Sequence, residues 1–134
     1  MKRHSTTARR GVAAVEFAVI LPVLLLLVLG TVEATSMIYL KQSIQIAAYE
    51  GARVALVPGS NKNNVIGACN QILKDRNVQG ATVTVTPAAI KNQPYGTFIQ
   101  VKVRAPCKLN GFFPPWFYVG KSLVAQVEMM KETD

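Results

Sequence analysis

The stretch that decides the fold is RRGVAAVEFAVILPVLLLLVLGTV, Arg9 to Val32. Two arginines and a glycine open it. From Val12 to Val32 a single charged residue, Glu16, interrupts the apolar run, and Leu24 to Leu29 is all leucine and valine. At ~1.5 Å of rise per residue this segment makes ~31 Å of helix, about the thickness of one hydrocarbon core. The chain has 134 residues, of which 50% are hydrophobic and 16% charged, where a soluble domain has about a quarter charged. That concentration of apolar residues excludes a uniformly soluble globule.

The charge pattern gives the segment a direction. Residues 1–11 hold Lys2, Arg3, Arg9 and Arg10 with no acid, so half of the net charge of +8 lies directly before the apolar run. Basic flanks are retained on the cytoplasmic side, which predicts a single-pass inner-membrane protein with a cytoplasmic leader and an extracytoplasmic C-terminal part. Membrane lipid is therefore an expected partner. Farther on, Lys62, Lys74, Arg76, Lys91, Lys102, Arg104, Lys108 and Lys121 are scattered singly. They read as a solvated surface, and no nucleic-acid signature accompanies them.

Glu16 is the informative anomaly. A cleaved secretory signal is a poor fit, because Gly30, Ala34 and Ser36 form no clear small-x-small site and the helical pattern continues beyond them. An uncleaved anchor leaves a carboxylate inside the span, only ~6 Å of helix rise from Val12, where it would have to snorkel. A third reading cuts the chain after Gly11. Val12 then gains a cationic amine and Glu16 becomes the fifth residue, so amine and carboxylate can neutralise each other within one subunit or between neighbours. Such a pair gives register more surely than net stability.

Arg10-Gly11-Val12-Ala13-Ala14-Val15-Glu16-Phe17-Ala18, then Leu21-Pro22, and later Ala48-Tyr49-Glu50-Gly51-Ala52-Arg53 resemble the TadE-like minor pilins, or pseudopilins, of Flp/Tad pilus assembly systems. The first block resembles a class III prepilin signal of the type IV pilin superfamily. The likeness covers residues 9 to 55. It implies cleavage between Gly11 and Val12 by a prepilin peptidase, with Glu16 and Phe17 serving peptidase recognition or assembly. It also implies other pilin-like subunits and the Tad/Flp secretion machinery as partners, and a structural role in a secretion and adhesion pilus. The family's major pilins are much shorter, so the long tail here suits the minor class. The expected location is the inner membrane, with the extracellular pilus as the alternative that the resemblance adds. The rival reading is an uncleaved, membrane-anchored adaptor or binding protein of the cell envelope.

Helical spacing continues past the span through Met37, Leu40, Ile44, Ala47, Ala48, Gly51 and Ala55, until Pro58-Gly59 stops it. The prediction is one helix over 12–57, its first part, about 12–32, in the membrane. Pro22 removes a backbone hydrogen bond and predicts a bend. Small residues four apart (Ala14 and Ala18, Gly30 and Ala34, Ala47, Gly51 and Ala55) would admit a second helix closely, as in self-association.

Residues 60–134 read as an α-β-β-β domain, which makes the predicted fold class α+β: a long N-terminal transmembrane helix, one short helix and a roughly three-stranded antiparallel sheet. Val65, Ala68, Cys69, Ile72 and Leu73 mark the helix. Period-two alternation marks strands around Val83–Val85, Ile99–Ala105 and Leu123–Met129. A sheet this small has a marginal core. On the topology above, Cys69 and Cys107 lie outside the cytoplasm, so a disulfide between them is expected; two reduced, buried thiols are the alternative. The aromatic run Phe112, Phe113, Trp116, Phe117 and Tyr118 around Pro114-Pro115 is either core or a contact patch for the membrane interface or a partner pilin. No enzyme is expected: His4 is the only histidine, no carboxylate pair, nucleophile elbow or glycine-rich phosphate loop appears, and neither metal nor cofactor is implied.

Overall fold

The computed structural model of the chain describes residues 6–91, 93–112 and 116–132, with side chains from residue 11 onward. Helix α1 runs Thr6–Ala55, ~75 Å of rise, and α2 runs Lys62–Asp75. Strands β1 (Thr82–Thr86), β2 (Phe98–Pro106) and β3 (Ser122–Met130) form one antiparallel sheet in the order β1-β2-β3. This is the expected α+β architecture. Helix α1 ends at Ala55, two residues short of the expected 57. The amides of Leu56 and Val57 turn back to the carbonyls of Arg53 and Val54, because the residue before a proline is disfavoured in α geometry.

Helix α1 has two different halves. From Gly11 to Leu29 every residue is exposed. From Met37 onward, Met37, Leu40, Ile44, Ala47, Ala48, Ala52 and Ala55 are buried, and Gly51 lies among them. Their three-and-four spacing aims one stripe at the domain core. The upper half of α1 is thus a wall of the domain and cannot be detached from the sheet without opening the core.

The sheet buries one face. Ile99, Val101, Val103 and Ala105 on β2 point inward with Val85 on β1 and Ala125 on β3, while Lys102 and Arg104 point to water. In register, Val101 lies between Val85 and Val127, and Val103 between Val83 and Ala125. The cover comes from both helices: α1 packs on β2 and β3, and α2 packs on β1.

Local chemistry fixes α2. Asn61 accepts from the Asn64 amide at 3.0 Å as an N-cap. At the other end Asn77 takes φ 54°, the Val78 amide reaches the Leu73 carbonyl and the Asn77 amide reaches Lys74. This is a Schellman closure with asparagine in the left-handed position. Asn110 ties the next turn down: its Oδ1 accepts from the Gln79 amide at 2.7 Å, and its Nδ2 donates to the carbonyls of Gln79 and Pro106.

The expected disulfide is corrected. Cys69 and Cys107 are both free and buried, and too far apart to bond. Cys69 directs its thiol toward α1, donating to the Ala47 carbonyl at 3.3 Å. Cys107 opens a short 3-10 turn after β2, with its amide bonded to the Lys121 carbonyl. Each thiol fills space as a small apolar group in a different part of the core. The expected use of Ala47, Gly51 and Ala55 is also revised. A Cβ built at Gly51 would lie 2.3 Å from Cys69 Sγ and 3.3 Å from Val101 Cγ1. The close approach these small residues permit is taken up by α2 of the same chain, leaving no room there for a second copy.

Candidate functional site

Two regions outside the core carry the residues singled out from sequence. The first is the start of the span. Helix α1 passes through Gly11 and Val12 without interruption, both residues are exposed, and a Cβ at Gly11 would meet nothing within 4 Å. The peptide bond between them is therefore sterically open on this chain. Glu16 and Phe17 are exposed one turn farther on, with Phe17 61% accessible. Residues four apart share one face of a helix, so Glu16 stands on the same face as Val12, one turn away. Pro22 lies inside α1, which continues through it; its missing N–H leaves the Ala18 carbonyl without its helical partner. The helix over Gly11–Ala55 contains a stretch long and apolar enough to cross a membrane, and none of that stretch is buried within the chain.

The second region is the connection between the 3-10 turn and β3. Phe112, Trp116 and Phe117 are exposed, at 79%, 71% and 67%. Tyr118 is half-buried and packs against the core. The core reading of the aromatic run therefore holds for Tyr118 and not for those three, while Phe113 lies outside the described residues. Lys121 Nζ stands 5.5 Å from the Tyr118 ring centroid, a cation–π distance.

What fixes this segment was invisible to the sequence reading. Glu33 Oε1, on α1, accepts from the Phe117 amide at 2.9 Å and from the Tyr118 amide at 3.2 Å. One carboxylate oxygen thus binds two successive backbone N–H groups across 84 residues of chain, and bonds to a charged acceptor are the stronger kind. Its sequence signal was faint: Glu33 is the first charge after the apolar run, a position that by itself only marks the end of a span. Below Tyr118 an open cleft of about 280 Å³ is lined by Ala34, Met37, Ile38, Lys41, Gln42 and Leu123. Lys41 Nζ donates to the Val124 carbonyl, a second tie between α1 and the sheet.

Among the described residues no three His, Cys, Asp or Glu side chains are grouped to hold a metal ion. Burial pushes the Cys69 thiol up to about 11 and raises Cys107 as well, so both are poor nucleophiles at neutral pH.

Searches of curated proteins and of solved structures give no match to the chain. A family model described as TadE-like protein matches residues 11–53. The match opens at Gly11 and takes in the span, Glu33 and the buried stripe of α1 as far as Ala52. Over that segment, about a third of its length, the chain is similar to TadE-like proteins.

Proposed function

We propose that this protein is a minor pilin or pseudopilin, a structural or assembly component of a Flp/Tad-type pilus, matured by a prepilin peptidase between Gly11 and Val12. The observation that carries the reading is the TadE-like match beginning at Gly11 on a helix whose stretch from Gly11 to Leu29 is exposed and apolar apart from Glu16. Its basic flank stays in the cytoplasm, the helix anchors the chain once in the inner membrane, and the sheet domain stands outside the cytoplasm.

Glu16 gives the reading its chemistry. Cleavage creates an ammonium on Val12, one helical turn from a carboxylate on the same helix face. In a low-dielectric setting such a pair forms within one subunit or between neighbours and sets their axial register. Pro22 weakens the helix one turn beyond Phe17, and the bend it permits lets the span adapt as the subunit joins its partners. These partners are the peptidase, other pilin-like subunits and the Tad/Flp machinery.

The test is complementation. In cells lacking this gene, the wild-type chain restores assembled pili, whereas Glu16→Ala reaches the membrane fraction in similar amount and restores few or none. Full restoration by Glu16→Ala would reject the role given to the carboxylate. Normal piliation without the gene would reject the pilus assignment and favour the uncleaved adaptor.

A further inference from the structure

We infer that Glu33 clamps the aromatic segment around Trp116 and Phe117 into the lipid interface at the domain end of the membrane span, making a second membrane contact. The geometry begins with position. Glu33 is the first residue after Val32, ~1.5 Å of helix rise beyond the apolar run. Its carboxylate holds the Phe117 and Tyr118 amides directly, so this segment cannot lie far from the level at which the span leaves hydrocarbon. The lipid that covers the exposed span reaches the segment as a continuation of the same surface.

The composition fits that depth. Trp116 and Phe117 are largely exposed, as is Phe112, while Tyr118 roots the segment in the core and carries Lys121 against its ring. Tryptophan and tyrosine favour the headgroup boundary, where a ring can meet acyl chains while its polar edge stays wet. Helix α1 is dressed for the same boundary. Thr31, Thr35 and Ser36 turn their hydroxyls back onto the carbonyls of Val28, Thr31 and Val32 at 2.7–2.9 Å, so they present little unsatisfied polarity to lipid. The clamp also explains why a carboxylate stands at the end of the run: its charge is met by two backbone N–H groups.

This inference rests on the helix spanning a bilayer, and it needs neither cleavage nor a pilus. Trp116 is the only tryptophan in the chain, so its fluorescence reports this site alone. The full-length protein is reconstituted at low density in phosphatidylcholine vesicles, with lipids brominated either near the headgroup or near the acyl terminus. The expected result is blue-shifted emission, strong quenching by the shallow bromolipid, weak quenching by the deep one, and poor access for aqueous acrylamide. Glu33→Ala should float with the vesicles as before but lose much of the shallow quenching, with Glu33→Gln between the two. Water-like emission open to acrylamide, in protein that still floats, would overturn the inference and leave the span intact. Protection from acrylamide without bromolipid quenching would also overturn it, by showing a protein surface over Trp116. Unchanged quenching in Glu33→Ala would overturn the clamp. Failure of the chain to float would remove the span and this inference together.

Discussion

A thiol enclosed by apolar side chains has lost the water that stabilises its thiolate, and that is the condition of Cys69. Burial raises it from 9.0 to about 11. Below pH 9 the folded and unfolded chains both keep the proton, so the group leaves stability unchanged. Between about pH 9 and pH 11 the unfolded chain releases it while the folded chain does not, and stability falls as pH rises through that window. Urea unfolding of the detergent-solubilised protein should show this decline, and Cys69→Ala should show less of it; identical slopes would contradict the assignment. Non-reduced, denatured protein should yield two titratable thiols, and the folded protein should react slowly. The sequence supplied two cysteines and an oxidising side of a membrane, which is enough to suggest a bond. It could not supply the directions in which the two side chains point.

At the scale of elements, the crossing of α1 and α2 depends on Gly51. A methyl group there would push into Cys69 Sγ and press on Val101, and such overpacking costs about 1–3 kcal/mol. Helix propensity returns up to about 1 kcal/mol for glycine to alanine, so Gly51→Ala should be a net loss. In a Cys69→Ala background the new methyl enters the vacated space, and the same substitution should become neutral or stabilising. Thermal unfolding of the four proteins closes the double-mutant cycle; equal effects in both backgrounds would reject the packing account. Much at this scale was legible in sequence. Alternation placed Ile99, Val101, Val103 and Ala105 inward, and Pro58 set the end of α1 to within a few residues. Helix α2 begins three residues before its first apolar position, because Lys62, Asn63 and Asn64 face water and leave no periodic signal. Small residues at 47, 51 and 55 announce a close neighbour without saying whose. Asn110 and Glu33 act across long chain separations onto backbone atoms, which carry no side-chain pattern to match.

Across the whole molecule, a single helix serves two solvents. From Gly11 to Leu29 it offers only apolar side chains and one carboxylate to its surroundings; from Met37 onward it is a wall of the sheet domain. Because α1 is continuous, whatever seats its lower end also orients the domain. The central claim is that the lower end is made ready by removal of the basic leader. Its most direct test is the intact mass of the protein made beside a prepilin peptidase, with peptidase-deficient cells as the control. The account predicts a mature chain beginning at Val12 when the peptidase is present and an uncut chain when it is absent. Retention of residues 1–11 in the presence of an active peptidase would contradict it.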